Sequence, residues 1–161
     1  MRKTEREVKD VKEKFAALMR CPYIVLAANG DLAPYQVPLN FGAALREEGL
    51  VLYFHCAKEG RKLELLRRDG EVSFCAANML RVFNKGIAPC GYTTDYESVC
   101  GRGRAEVLRE ESERLEGLKV LMEHYTGEAF SDRSFDARAL SLTEVVKITV
   151  SEWTCKRLVR G

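Results

Sequence analysis

The stretch that decides the fold is Leu52-Tyr-Phe-His-Cys-Ala-Lys-Glu-Gly-Arg-Lys-Leu-Glu-Leu-Leu66. Its first half predicts a β-strand with two different faces, because successive side chains of a strand point to opposite sides. One face carries Val51, Tyr53 and His55, and the other carries Leu52, Phe54 and Cys56. The second half supplies the apolar stripe of a helix with Leu63, Leu65 and Leu66. The segment therefore predicts a strand, a tight turn and a helix.

The turn itself favours an anion. Gly60 precedes the helix, and Arg61 and Lys62 fall in its first turn. Cations at that position face the positive end of the helix dipole, and in the local sequence only Glu59 and Glu64 offset them. Free backbone N–H groups, a glycine and two cations are typical of a phosphate-binding site. On these residues alone, a solvated basic turn is the alternative.

Outward from this segment, the hydrophobic periodicity predicts six strands and three helices. The strands cover residues 23–28, 35–45, 50–56, 71–77, 96–108 and 144–157, and the helices cover residues 4–19, 60–68 and 110–125. Pro38 places the second strand at an edge or a bulge. Residues 78–95 are predicted to be irregular, and residues 126–142 to form a polar connection.

These elements predict a mainly β fold, a six-stranded antiparallel β-barrel with flanking helices. The connections between strands are mostly short, which favours antiparallel pairing. Glycines inside strands, such as Gly101 and Gly103, suit the sharp coiling of a barrel. The chain has 161 residues and no visible composition break, so residues 1–161 are expected to form a single domain.

Composition narrows the class of protein. Hydrophobic residues make up 46% and charged residues 31% of the chain, and the net charge of +2 is spread over interleaved acids and bases, which argues against nucleic-acid binding. The six cysteines show no Cys-x-x-Cys spacing, and the two histidines are too few for a zinc site, so no metal is expected. No signal peptide and no membrane span are visible, which leads us to expect a cytoplasmic protein with reduced thiols.

Three residues outside the turn are ambiguous. His55 either reaches a ligand held at the turn or is buried as a core histidine. His124 is expected near a helix C-terminus, where a cation complements the dipole. Trp153, followed by two cations at the end of a strand, either covers a flat ring or caps the core of the barrel.

Four segments in this order resemble a known family. They are Val-Pro-Leu-Asn at 37–40, the element at 52–62, Glu-Val-Ser-Phe at 71–74 and Tyr-Glu-Ser-Val-Cys-Gly-Arg-Gly at 96–103. From about residue 4 to residue 157, the chain resembles the pyridoxamine 5′-phosphate oxidase-related flavoproteins, which have an FMN-binding split barrel. Within that group it is most similar to the 5-nitroimidazole-resistance branch.

The resemblance implies a homodimer with FMN sites in the interface between its subunits. Gly60, Arg61 and Lys62 would bind the phosphate, and the backbone of Val37, Pro38, Leu39 and Asn40 would border the isoalloxazine ring. Phe54 and His55 would line the ribityl chain and the ring, in the same element as Ala57. Ser98 would face the ring, and Trp153 would reach it from the second subunit.

The resulting hypothesis is an FMN-dependent reductase or oxidase of a small molecule, with a nitroaromatic as one substrate class. His55 would be its catalytic residue, positioning the substrate or delivering a proton. Two alternatives stay open: a flavin-binding module without turnover, and a haem-binding relative with His55 or His124 as the iron ligand. The sequence does not name the substrate or the electron donor.

Overall fold

The structure is a computed structural model that describes residues 3–160. Within them it contains eight strands and four α-helices. The strands are β1 (Glu7–Val8), β2 (Ile24–Ala28), β3 (Tyr35–Leu39), β4 (Gly42–Arg46), β5 (Gly49–Ala57), β6 (Glu71–Asn84), β7 (Tyr92–Val107) and β8 (Thr143–Leu158). The helices are α1 (Val11–Met19), α2 (Arg61–Arg68), α3 (Glu111–Thr126) and α4 (Ala137–Ser141). None of the helices in this part of the chain is long and apolar enough to cross a membrane.

All strands belong to one antiparallel sheet, which confirms the predicted pairing. Its order is β3-β2-β6-β7-β8-β5-β4, and β1 pairs with β8. The two edge strands, β3 and β4, are consecutive in the chain and are joined through Asn40 and Phe41. The sheet therefore bends around its core and brings its edges to one corner without closing. Pro38 lies in edge strand β3, as its missing N–H group predicts.

The structure has eight strands instead of the predicted six, and the two additional strands arise at two places in the chain. Asn40 interrupts the predicted strand 35–45, which divides it into β3 and β4. The predicted helix 4–19 begins only at Val11, because Asp10 caps α1 by accepting a hydrogen bond from the N–H of Glu13. The residues before the cap pair with β8 as strand β1.

The prediction of an irregular segment at 78–95 was wrong. These residues extend β6 and β7 into a long hairpin, with a register shift between Met79 and Arg81. We call residues 78–95 the arm. Asp95 at its base is fully buried and accepts hydrogen bonds from Arg81 Nε at 2.6 Å and Arg160 Nη1 at 3.0 Å. The predicted polar connection at 126–142 likewise contains a regular element, helix α4.

Strand β5 has two buried faces, as its alternation predicted. Leu52 and Phe54 face the main core, which also holds apolar side chains of α1 and α2. Val51 and Tyr53 face a second cluster beneath α3. The strand therefore separates two compartments, and a side chain of β5 reaches only one of them.

The glycines of β7 allow close packing. A Cβ atom at Gly101 would lie 2.6 Å from the ring of Phe74, and one at Gly103 would lie 2.2 Å from the carbonyl oxygen of Thr149. The pairing of β7 with β8 shifts register between Arg102 and Gly103. These glycines thus serve strand packing and bending, as the sequence predicted.

A buried carboxylate fixes α1 to the sheet. Glu97 of β7 is 2% exposed and accepts hydrogen bonds from Arg20 Nε at 2.8 Å and Nη2 at 2.6 Å. Arg157 of β8 donates a further bond from Nε at 2.7 Å. The two hydrogen bonds from Arg20 above all, and the one from Arg157, hold the pKa of Glu97 below its ordinary value. The ion cluster therefore joins the end of α1 to two central strands.

Candidate functional site

The N-terminus of α2 has no side-chain cap. Gly60 occupies the N-cap position with φ of 124°, a conformation that favours glycine, and no side chain of residues 3–160 accepts a hydrogen bond from the first turn. Asp10 and Asp136 cap α1 and α4, whereas α3, like α2, has no side-chain cap among the described residues. No atom outside the immediate backbone lies within 4 Å of the place where a Cβ atom of Gly60 would be. The start of α2 therefore has uncapped N–H groups and open space beside Gly60, which an anion site requires.

Lys62, in the first turn of α2, is a cation without an anionic partner among residues 3–160. Its Nζ atom is 5.1 Å from the centroid of the Phe54 ring. Within residues 3–160, the ammonium group of Lys62 forms no ion pair with a carboxylate and makes no hydrogen bond. Burial lowers the pKa of Lys62, because the charged ammonium loses hydration there. A phosphate would supply the missing counter-charge.

Arg61 is already paired with two carboxylates. One is Glu64, a local acid expected to offset it, whose Oε2 atom lies 3.3 Å from Arg61 Nη1. Asp31, in the loop between β2 and β3, binds the guanidinium of Arg61 and also that of Arg68. The hydrogen bond from Arg68 lowers the pKa of Asp31 most, and the one from Arg61 lowers it further, so this pKa lies below its ordinary value. Arg61 would have to leave or share Asp31 in order to bind a phosphate.

Phe54 and His55 face opposite sides of β5. Phe54 is completely buried in the main core, so only its backbone is available to border a ligand. His55 is exposed on the other side, where it faces α3 and α4, and Ala57 is exposed at the end of the strand. The structure therefore brings Lys62 to Phe54 but places the ring of His55 on the far side of the strand.

The core-histidine alternative for His55 is wrong. The ring lines a cavity that is bounded by α3, α4 and the segment before α4. It makes no hydrogen bond with any residue from 3 to 160. A ring nitrogen is thus free to bind a ligand, and a catalytic role stays a prediction.

The predicted flavin-bordering strand is a sheet edge. In the part of the chain that the structure describes, β3 pairs with β2 alone, so the backbone of its other side is open. Val37 and Leu39 pack against the main core, whereas Pro38 and Asn40 are exposed. The loop that leads into β3 contacts α2 through Asp31 and Arg61. This arrangement joins the edge strand to the start of α2.

Ser98 and Trp153 do not join this group within one chain. Ser98 points away from the main core and lines a shallow depression with Cys100, Thr154 and Lys156. Trp153 packs against the main core, and Lys14 Nζ lies 4.1 Å from the centroid of its ring. Any contact of these residues with a ligand at α2 would need a second subunit.

His124 lies in the last turn of α3, as predicted, but its role is more specific than a helix dipole. Its Nδ1 atom is 2.6 Å from the carbonyl oxygen of Phe41, and its Nε2 atom is 3.0 Å from that of Met19. The neighbouring Tyr125 accepts a bond from the N–H of Phe41 and donates to the carbonyl of Pro22. Both ring nitrogens of His124 are occupied, which leaves neither free to bind an iron. No sequence pattern signals these partners, because they lie 83 and 105 residues away.

Residues 10–157 match the family model of pyridoxamine 5′-phosphate oxidase. The chain belongs to the pyridoxamine 5′-phosphate oxidase family. The match extends from the cap of α1 almost to the end of β8, which confirms the resemblance stated from the sequence. The open eight-stranded sheet is the split barrel of this flavin-binding family. No curated protein matches the chain.

Solved structures share this fold over nearly the whole chain. A Bacteroides thetaiotaomicron protein named as a candidate for 5-nitroimidazole antibiotic resistance is 27% identical, with a TM-score of 0.76 and coverage of 93% of this chain and 85% of its own. The flavocytochrome Anf3 from Azotobacter vinelandii is 19% identical, with a TM-score of 0.76 and coverage of 99% and 72%. An FAD and heme binding protein from Mycobacterium smegmatis is 17% identical, with a TM-score of 0.75 and coverage of 94% and 73%.

Proposed function

We propose that this family member is a homodimeric FMN-dependent oxidoreductase that acts on a small molecule. The observation that carries the proposal is the uncapped start of α2 beside Lys62, a half-buried cation without a counter-ion in the described residues. Together they provide N–H donors, a helix dipole and one free positive charge for a single phosphate group. Membership in the family and the likeness to a nitroimidazole-resistance protein support flavin and suggest a nitroaromatic substrate.

The residues have distinct roles in this proposal. Gly60 leaves room for the phosphate, Lys62 and the first N–H groups of α2 bind it, and Arg61 joins them after exchanging Asp31. The open backbone edge of Val37–Asn40 borders the isoalloxazine ring. When bound, FMN would supply the electron or hydride transfer, so the chain needs to bind and orient rather than to provide a nucleophile.

The positive charge at the start of α2 suits FMN better than FAD. The cluster at α2 offers one free ammonium group and one helix N-terminus, which suit one terminal phosphate. Neighbouring structures are named for FAD and haem, so both are direct competitors in the test.

The arm supports the proposed dimer. Met79, Val82, Ile87 and Tyr92 on it are each more than half exposed, which is unusual for so many large apolar side chains on one hairpin. Asp95, Arg81 and Arg160 fix the base of the arm, so these side chains are held in place at the surface. A second copy of the chain would cover them, and it would also bring Ser98 and Trp153 toward the other flavin site. A monomer in sedimentation equilibrium at tens of micromolar with FMN present would contradict the dimer.

His55 is the residue that we propose to contact the substrate. Its ring is exposed, has no partner among residues 3–160 and borders a cavity of small-molecule size. Because the ring lies on the side of β5 that faces away from Lys62, this role requires the flavin ring to reach that side in the dimer. There His55 would orient the substrate and hold or deliver a proton at a ring nitrogen, a contribution worth about a hundredfold or more in rate. His55→Ala should keep the melting temperature and most of the FMN affinity but slow substrate turnover.

The experiment begins with the absorption spectrum of the purified protein and identification of any released chromophore. A flavin spectrum with FMN released, followed by reduction with a nicotinamide donor and reoxidation by a nitroaromatic, is the expected result. Flavin that binds but is never reduced would indicate a flavin-binding module without turnover. A haem spectrum, lost in His55→Ala, would indicate the haem-binding alternative instead.

A further inference from the structure

Two cysteines face each other across the central strands of the sheet. Cys75 of β6 and Cys100 of β7 are directly opposite each other in the antiparallel pairing. Their Sγ atoms lie 3.5 Å apart, and the thiol of Cys100 donates a hydrogen bond to the sulfur of Cys75. The two residues are 25 positions apart in the chain, so no Cys-x-x-Cys spacing marks them. The strand pairing therefore creates a dithiol that no local sequence pattern predicts.

The dithiol lies on the outward face of the sheet. Alternate residues at the start of β6 are buried, and Cys75 falls on the exposed side, opposite an equally exposed Cys100. Cys100 also lines a shallow depression with Ser98, Thr154 and Lys156. Cysteine is one of the most frequently buried residue types, and core packing does not account for two exposed ones at opposite positions. The pair is therefore open to a small reagent.

The backbone geometry of the pair fits a disulfide. Residues directly opposite each other in an antiparallel sheet have Cα atoms about 4.5 or 5.5 Å apart, and both distances lie within the range of about 4.4–6.8 Å that a disulfide spans. The sulfurs of Cys75 and Cys100 are 3.5 Å apart and would have to approach to the bonded length of about 2.05 Å. Rotation of the two side chains, rather than movement of the strands, is the change that this approach requires.

The hydrogen bond between the two sulfurs gives them different roles. Cys100 is the donor, so its S–H group would stabilise negative charge that develops on the sulfur of Cys75. Partial burial, and then the hydrogen bond to Cys75, raise the pKa of Cys100 to about 11. The thiolate is the nucleophilic form of cysteine, and Cys100 keeps its proton at neutral pH. Cys75 is therefore the sulfur placed to attack first, and Cys100 the one placed to complete an exchange.

We propose that Cys75 and Cys100 form a redox-active site that closes to a cross-strand disulfide by exchange with a low-molecular-weight disulfide. The thiolate of Cys75 attacks one sulfur of the small disulfide, which forms a mixed disulfide and releases one small thiol. The sulfur of Cys100 then attacks that of Cys75, which forms the protein disulfide and releases the second small thiol. One small disulfide is thereby reduced to two thiols, and their two protons are those that the protein thiols lose. An excess of a small thiol reverses both steps.

The disulfide would close the base of the arm covalently. Cys75 lies just before residues 78–95 on β6, and Cys100 lies just after them on β7, so the bond encloses the whole arm in one loop. In the proposed dimer, Ser98 and Trp153 beside Cys100 approach the second subunit, which favours a small molecule over a protein as the exchange partner. This inference goes beyond the proposed flavin chemistry, because the exchange needs no flavin.

The first test treats the reduced protein with an excess of hydroxyethyl disulfide, blocks the remaining thiols and maps the tryptic peptides without reductant. Cys75 lies in the tryptic peptide 69–81, and Cys100 lies in the peptide 86–102. The expected result is that these two peptides are joined by a disulfide, and that dithiothreitol separates them. Absence of the joined peptide, or lasting hydroxyethyl adducts on both Cys75 and Cys100, would overturn the proposal.

Two matched variants locate the bond. Cys90 is an exposed cysteine at the tip of the arm and belongs to the same tryptic peptide as Cys100, so Cys90→Ser is the control. Cys90→Ser should give the joined peptide at the wild-type rate, whereas Cys100→Ser should give none. A joined peptide that is lost in Cys90→Ser and kept in Cys100→Ser would place the bond at Cys90 and refute the proposal.

The single serine variants also test the order of attack. Cys100→Ser should accumulate the mixed disulfide at Cys75, because the sulfur that completes the exchange is gone. Cys75→Ser should form an adduct at Cys100 about tenfold more slowly or less, because that thiol keeps its proton. Equal rates of adduct formation in the two variants would contradict the assignment of Cys75 as the attacking sulfur. If either variant does not fold, the peptide maps of the wild type and of Cys90→Ser decide the proposal.

Discussion

Replacing Lys62 by methionine tests the phosphate site at its most specific residue. The substitution keeps an unbranched side chain over the ring of Phe54 and removes the charge. Because Lys62 has no competing carboxylate in the described part of the chain, the full value of one charged hydrogen bond to phosphate should be lost. That value is about 1.5–3 kcal/mol, which corresponds to a ten- to hundredfold loss of FMN affinity.

The same structure predicts the opposite effect on the protein without FMN. Burial disfavours the charged form of Lys62 and lowers its pKa, so the ammonium destabilises the fold until an anion arrives. Lys62→Met should therefore be at least as stable as the wild type in urea. The wild-type stability should rise as the pH climbs through the lowered native pKa toward the unfolded value of about 10.4, because the folded state loses its proton first. Lys62→Met should lack this rise.

The assay is quenching of FMN fluorescence, with Lys58→Met as the control. Lys58 is an exposed cation just before the turn, so its substitution removes the same formal charge from the same neighbourhood. It should change the affinity little. Wild-type affinity in Lys62→Met, or an equal loss in Lys58→Met, would show that the turn is a solvated basic surface and refute the reasoning.

Three further predictions concern groups around the site and the core. Asp31→Asn should release Arg61 and raise FMN affinity by no more than about fivefold, and the gain should be smaller at high salt. Weaker FMN binding in a fluorescence titration would show instead that Asp31 orders the site. Glu97→Gln should cost about 1.5–3 kcal/mol in urea unfolding at neutral pH. Because the pKa of Glu97 is lowered in the folded state, its contribution to the free energy of unfolding is fully present above the unfolded-state pKa of about 4.3. It is lost as the pH falls through the folded-state pKa, and a difference in stability between wild type and variant that does not change with pH would contradict this. His124→Ala should lower stability by about 1–3 kcal/mol without changing FMN affinity, and a selective loss of flavin would overturn its structural role.

The strand, turn and helix around Gly60 were predictable because their signals are local. Alternation from Val51 to Cys56 and the leucine stripe of α2 each follow one backbone period. The resulting element is also the one that carries the candidate phosphate site. Pro38 was equally informative, since a residue without an N–H group fits an edge strand.

The arm was missed because its turn signals outweigh its strand pattern. Gly86 and Pro89 lie at its tip, and the register shift after Met79 breaks the alternation that would have marked β6. Its apolar side chains are also exposed, so they follow no core-facing period.

The surroundings of the site depend on long-range contacts that no local pattern shows. Asp31 precedes Arg61 by 30 residues and pairs with it only because the loop before β3 folds over α2. The cavity at His55 requires α3 and α4, which begin more than 50 residues later. Sequence therefore identified the residues of the turn but not Asp31 as a partner of Arg61 or the side of β5 on which His55 acts.

The measurement that tests the central claim most directly is a paired titration of the protein with FMN and riboflavin, which differ by the phosphate alone. Saturable quenching with about one FMN per chain at micromolar concentration, and at least tenfold weaker binding of riboflavin, is the result that a phosphate site at Gly60, Arg61 and Lys62 predicts. Equal affinity for the two flavins, or no saturable binding of FMN, would contradict it.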